Sequence, residues 1–272
     1  MKTILATTDF SEISENAVNY AAEVAKLWNA KLILFHGYSV PIPVSEVPVI
    51  SIEFDELEKE NMKLLNKLDA KLQAKYGKLE TELLTKPGMV VDEILTLVKE
   101  RKIDLVVMGI TGAGKTAAIL GSNTTTIIKK CKQPVIAVPA NFKFKQPKKI
   151  ALACDYKAII PDRAVDKLKD IVTSFNAKLL IFDVLKKTEL VSYTKAFAEV
   201  NLENALGELE HSVHFPSGDD LGHEVNEFVS KNHADMIAVM PHNYNFFEGL
   251  FHHSSAKKIA LATHIPLLSI HE

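Results

Sequence analysis

The stretch GITGAGKTAAILGSNTTTIIKK, beginning at Gly109, holds four of the chain's 11 glycines: Gly109, Gly112, Gly114 and Gly121. It follows an apolar run, 105–108, that reads as a strand. Glycines after a strand let the backbone turn with positive φ and come close to a ligand. Their N–H groups, with those of the next helix N-terminus, then present partial positive charge to a phosphate. Ser122 adds a hydroxyl at the N-cap of a helix expected to start near Asn123. The plainer alternative is that the glycines only close a tight turn, although most turns need one or two of them. Gly109, Gly114, Lys115 and Thr116 also match the Walker A spacing, with KLLIFD, ending at Asp183, as a strand that could hold Mg²⁺. Asp9, after the apolar run ILATT, could position Mg²⁺ or a water. His242, His252 and His253 share one loop but lack the i, i+4 spacing of a helix-borne metal pair. There is no nucleophile elbow, no carboxylate pair with separated roles, and no base assignable beside the glycine loop.

The frame around these residues is ordinary. The 272 residues are 47% hydrophobic and 24% charged, and 32 basic against 34 acidic side chains give a formal net charge of -2. That charge provides no general attraction to nucleic acid or anionic lipid. Cys131 and Cys154 are too few for a disulfide framework and read as buried thiols. The start, MKTILATTDF, is too short for a signal-peptide core, and no apolar run approaches a membrane span, so a cytoplasmic protein is expected.

The chain repeats itself. KTILATTDF at Lys2 is answered by KKIALACDY at Lys148, which pairs Asp9 with Asp155 at an offset of 146; NAKLILF at Asn29 returns as NAKLLIF at Asn176, offset 147. IDLVVM at Ile103 is answered by ADMIAV at Ala234, offset 131, and KQPVIAV at Lys132 by HIPLLSI at His264, offset 132. The drop in offset places a longer middle section in the first half, including the proline-rich YSVPIPVSEVPVI, a loop or edge segment. A polar, proline-flanked connection, PANFKFKQPKK, separates the copies, which predicts domains at 1–142 and 147–272. Within the first half, strands are expected at 4–7, 31–35, 79–84, 105–108 and 135–138. Helices carry the apolar sets Ala17, Ala21, Val24, Ala25, Trp28 and Leu57, Leu64, Leu65, Leu68, Leu72, then span 90–100, then start near 123. Alternation of this kind needs parallel strands joined by helical crossovers, so the fold class is α/β, two tandem doubly wound, mainly parallel five-stranded sheets flanked by helices. If the first strand lies beside the fourth, Asp9 faces the loop that begins at Gly109. The Walker assembly then fails, because Asp183 belongs to the second copy and its counterpart in the first is His36.

The spacing Gly109-x-x-Gly112, then Gly121-Ser122, with the strand ending at Asp9 and the final strand introduced by Lys132-Gln133-Pro134-Val135, resembles the universal stress protein family. The likeness covers nearly the whole chain as a tandem pair, although eight residues, 113–120, stand where the family pattern has nine. The resemblance implies a Rossmann-like fold of the adenine nucleotide alpha hydrolase type, binding ATP, ADP or AMP with Mg²⁺ as a companion. On that resemblance Asp9 approaches adenine and ribose, Gly109 and Gly112 lie against ribose and phosphate, and Gly121 with Ser122 holds the outer phosphates. Gly114, Lys115 and Asn123 complete the loop and helix start, and any hydrolysis is slow. The resemblance also implies that 135–138 and 267–270 join the halves as a pseudo-dimer, with further homo-oligomers expected. In the second copy Met240, Asn243 and His253 replace the motif glycines, so its nucleotide site is read as lost, and Phe246, Phe247, Leu250 and Phe251 become a candidate partner surface. Two rival readings stand beside this one: an interaction protein that binds no nucleotide, and a P-loop-type NTPase.

Overall fold

A computed structural model describes residues 2–39, 50–110, 122–154, 162–185, 204–240 and 264–271. Its first half runs β1 (Thr3–Thr7), α1 (Glu12–Trp28), β2 (Lys31–Tyr38), α2 (Ile50–Tyr76), β3 (Thr81–Pro87), α3 (Val90–Glu100), β4 (Leu105–Ile110), α4 (Ser122–Lys130) and β5 (Val135–Pro139). The second runs β6 (Lys149–Ala153), α5 (Asp162–Phe175), β7 (Lys178–Phe182), β8 (His211–His214), α6 (Leu221–Asn232), β9 (Met236–Val239) and β10 (Leu267–Ser269). The third strand starts two residues later than its apolar pattern suggested, because Leu79 is buried ahead of the ladder while Gln73 of α2 donates to the Leu79 carbonyl and accepts from its N–H.

The ten strands form one sheet in the order β3-β2-β1-β4-β5-β10-β9-β6-β7-β8. Every neighbouring pair is parallel except β5 and β10, which run antiparallel with Leu267 opposite Ala137, Leu268 opposite Ile136 and Ser269 opposite Val135. Each half is thus a doubly wound five-stranded sheet, and the halves meet edge to edge. Side chains alternate across the pleat. Ile4 and Ala6 face a core that α1, α2 and α5 cover, whereas Leu5 and Ile33 face one covered by α3, α4 and α6.

Local chemistry explains why the two copies share particular residues. Helix α1 starts at Ser11, whose hydroxyl accepts from the Ser14 N–H, with Glu12 and Glu15 beside the positive end of the helix. It stops at Asn29, whose φ of 48° is the left-handed conformation that asparagine tolerates; Asn176 repeats this after α5 with φ 52°. Lys102 and His233, after α3 and α6, match in the same way at 50° and 53°. Next to them Asp104 accepts from the Thr3 N–H at 2.7 Å, and Asp235 accepts from those of Lys148 and Lys149 at 2.8 and 3.1 Å. In both halves, therefore, an aspartate at the start of one strand holds the start of the strand beside it.

The connection between the halves is not a free linker. Phe142 and Phe144 pack against the core and against Tyr20, Pro147 is buried, and Asn16 of α1 donates to the Pro139 and Phe142 carbonyls. Across the junction Trp28 packs on Phe175 with ring centroids 4.9 Å apart, and its indole N–H donates to the Ser174 carbonyl. Lys167 donates to the Lys132 and His271 carbonyls, and Ser269 to that of Ile128. Both cysteines are buried thiols. Among the described residues no helix is long and apolar enough to cross a membrane.

Candidate functional site

In the first half β1 pairs with β2 on one side and β4 on the other, so the winding direction reverses between β1 and β4. Ligands of doubly wound sheets sit beyond the strand carboxyl ends at that reversal, where diverging loops leave a crevice. A cavity of about 260 Å³ lies there. Its floor is Thr7, Thr8 and Asp9 after β1 and Met108 with Gly109 from β4. Its walls are Ser11, Ile13 and Ser14 from the start of α1, Phe35 and Gly37 from β2, Val90 from α3, and Ser122, Asn123 and Thr124 from α4. Three helices thus begin at this place, two of them with hydroxyl groups in the first turn, which suits an anionic or strongly polar ligand.

The turn from β1 into α1 is tightly bonded. The Asp9 carboxylate accepts from the Ser11 hydroxyl at 2.6 Å and from its N–H at 3.1 Å, while the Asp9 N–H donates to Ser14 Oγ at 3.3 Å. Partial burial pushes the Asp9 carboxyl up, but the hydrogen bonds from Ser11 and Ser14 outweigh it and hold the group below its ordinary value. Asp9 is therefore an anion at neutral pH, able to accept from a hydroxyl or amine and not suited to face a phosphate. Thr8 Oγ1 lies 3.0 Å from Ser14 Oγ and accepts from the Phe10 N–H. Phe10 takes φ 62°, an uncommon conformation for a side-chain-bearing residue, and its ring lies 4.5 Å from that of His36, whose Nδ1 is 2.8 Å from the Thr8 carbonyl. The ring contact and hydrogen bonds hold the strained turn at the cavity rim.

Two glycines at the cavity leave room for different neighbours. A Cβ at Gly109 would lie 2.9 Å from both Ile13 Cγ2 and the Ile13 carbonyl oxygen, so this glycine lets the first turn of α1 pack on the end of β4. The Thr124 hydroxyl donates to the Gly109 carbonyl at 3.1 Å and ties α4 to the same strand end. A Cβ at Gly37 would sit 3.2 Å from Val90 Cγ2 and 3.3 Å from Phe35 Cζ, within space that now belongs to the cavity wall.

Of the expected site residues, Asp9, Gly109, Ser122 and Asn123 come together around this one cavity. Gly112, Gly114, Lys115 and Gly121 lie outside the described residues, as do Asp155, His242, His252, His253 and the Phe246 to Phe251 surface. Thr8, Ser11, Ser14, Gly37 and Val90 were missed. The serines are readable in part, since Ser11 followed by Ser14 ahead of an apolar period marks a helix start. Nothing in the sequence singles out Gly37. The Walker pairing is overturned on distance: Asp183 follows β7, which is five strand positions from β4, on the order of 24 Å at the usual strand spacing.

The second half carries larger side chains at several of the corresponding positions. By the repeat offsets Val184 stands at the place of Gly37, Leu221 at that of Val90, Cys154 at that of Thr8 and Met240 at that of Gly109. Val184, Leu221 and Met240 pack against the apolar cores.

Fold and site together define a doubly wound α/β protein with a polar ligand crevice at the switch point of its first half. The universal stress protein family model matches residues 1–139, and the chain belongs to that family. A universal stress protein of Methanocaldococcus jannaschii is 32% identical over 152 residues, spanning 54% of this chain and 84% of the relative. Another, from Thermus aquaticus, is 30% identical over 139 residues, 50% of this chain and 98% of its own. A universal stress protein structure from Archaeoglobus fulgidus shares the fold with a TM-score of 0.73 at 19% identity, covering 99% of this chain and 98% of that one.

Proposed function

We propose that the first half binds an adenine nucleotide, ATP or its di- or monophosphate, and that the protein acts as a nucleotide-dependent regulatory or interaction module. The observation that carries this reading is the switch-point cavity, where the starts of α1 and α4 supply hydroxyls and a positive dipole end beside an apolar wall of Ile13, Phe35, Val90 and Met108. The residues fit such a ligand. Asp9 is placed to accept from a ribose hydroxyl or an adenine amine, and Ser122 and Thr124, with the α4 N-terminus, suit phosphate oxygens. A bound Mg²⁺ would neutralise phosphate charge, and we read any hydrolysis as slow. We read the chain as domains 1–142 and 147–272. We read the second as having lost the nucleotide site, and further self-association is open to the assembled pair.

Calorimetric titration of nucleotide-stripped protein with ATP and Mg²⁺ should give one site per chain. Gly37→Val copies the second half into the first and should weaken binding at least tenfold, with some loss of stability because its Cβ would press on Val90 Cγ2 at 3.2 Å and Phe35 Cζ at 3.3 Å. Unchanged affinity in that variant, or no heat from the parent chain and no shift in its melting temperature, would sink the reading. Lys115→Ala separates Walker chemistry, in which all binding is lost, from the present reading, in which Gly112→Val and Gly121→Val are worse.

A further inference from the structure

The second half carries a cluster that nothing in the nucleotide reading uses. His223, Glu224 and Glu227 lie on the first two turns of α6, and one ligand atom from each falls within 4.8 Å of the other two. His223 Nε2 is 3.8 Å from Glu227 Oε2 across one helical turn. We propose that these three side chains form a site for a divalent transition-metal ion of the zinc class.

The donor set is one imidazole nitrogen and two carboxylates, which suits Zn²⁺ and its neighbours better than an all-oxygen ion such as Ca²⁺. Zinc bonds of about 2.0–2.2 Å put tetrahedral ligand atoms roughly 3.3–3.6 Å apart, so the observed spacing closes with small side-chain rotations. Gly218 lies beside Glu224, and its N–H donates to the Leu185 carbonyl at 2.9 Å. Glu224 is not needed as the helix cap. Asp220 caps α6 by accepting from the Gly222 and His223 N–H groups, and Glu224 sits one position past the capping-box place. The first half lacks the set: at the repeat offset of 131 the three positions are Asp92, Glu93 and Thr96, and Glu93 pairs with Lys86.

Glu224 and Glu227 also line a cavity of about 650 Å³ between α6 and the segment from Val213 to Ser217, with Lys231 on the same wall. Three protein ligands would leave the fourth zinc position for a water or a small anion.

The test uses the full chain, treated with EDTA, dialysed, and titrated with ZnCl₂ by calorimetry, followed by CoCl₂ with visible absorption as a readout of tetrahedral geometry. One tight event per chain is expected. His223→Ala and Glu227→Gln should weaken it at least tenfold, with circular dichroism and melting temperature unchanged because both side chains are exposed. His252→Ala should leave it intact. Absence of zinc binding at micromolar concentrations in the parent chain overturns the site. So does parent-like affinity in both His223→Ala and Glu227→Gln.

Discussion

Gly109→Val is expected to unfold earlier and to lose nucleotide binding together. The new Cβ would meet the Ile13 backbone carbonyl at 2.9 Å and its carbonyl carbon at 3.1 Å, and backbone cannot rotate out of the way as a long side chain could. Relief requires the first turn of α1 to move off the end of β4. That turn carries Ser11, Ile13 and Ser14 of the cavity wall and the hydrogen bonds that hold Asp9. Overpacking of this kind costs about 1–3 kcal/mol, and at roughly 2–4 °C per kcal/mol for a chain of this size the melting temperature should drop by about 2–12 °C. Differential scanning calorimetry checks the stability, and an ATP titration checks the site. A variant that melts within a degree of the parent and binds as tightly would show that α1 does not need the glycine.

The second large effect is at Asp235, and it falls on stability alone. This buried carboxylate accepts from Lys145 Nζ at 2.6 Å and from the Lys148 and Lys149 N–H groups, so it fastens the connection and the start of β6 to β9. Asp235→Ala removes all three bonds and leaves two backbone donors short of an acceptor, which should cost about 2–4 kcal/mol. Asp104→Ala, its counterpart in the first half, should cost clearly less, because Asp104 is exposed and accepts from the Thr3 N–H alone among the described bonds. Burial pushes the Asp235 carboxyl up, but the Lys145 ammonium and the two backbone N–H groups outweigh burial and hold it below the ordinary carboxylate range. Its stabilisation is therefore fully present above the unfolded-state value of about 4 and is lost as pH falls through the lower folded-state value. Urea unfolding of the parent and of Asp235→Ala should differ by the full amount at pH 7 and converge in strong acid. A gap that stays constant to pH 2 would contradict the role given to this group.

The parts of the molecule that were legible from residues alone are those fixed by local rules. NAKLILF at Asn29 and NAKLLIF at Asn176 open matching strands of the two halves, and the apolar alternation forces parallel strands with crossovers. Asp9 and Gly109 could be placed at one site because both follow strands that a doubly wound order brings side by side. What could not be read depends on which surfaces meet. The connection looked polar, yet every second residue of FKF packs inward, and only the position of Tyr20 and Asn16 on α1 explains why. Gly109 was read as making room for a ligand, and its nearest neighbour proves to be Ile13. His242, His252 and His253 stand out in the sequence by sharing one loop, whereas the segment HEVNE beginning at His223 brings a nitrogen and two carboxylates together only through the i, i+1 and i+4 positions of a helix.

The antiparallel seam between β5 and β10 also sets an order of events during synthesis. β5, sequence VIAVP, is completed at residue 139, but the strand that covers its outer edge is made only at residue 267, after 128 further residues. At about 5–20 residues per second the ribosome needs roughly 6–25 s to cover that interval. Throughout it the nascent first half exposes an apolar strand with unpaired backbone groups, the kind of edge that recruits a neighbouring chain. Polysomes place such edges close together. The interval before the last strand emerges is therefore when this protein is most exposed to mispairing with another copy of itself.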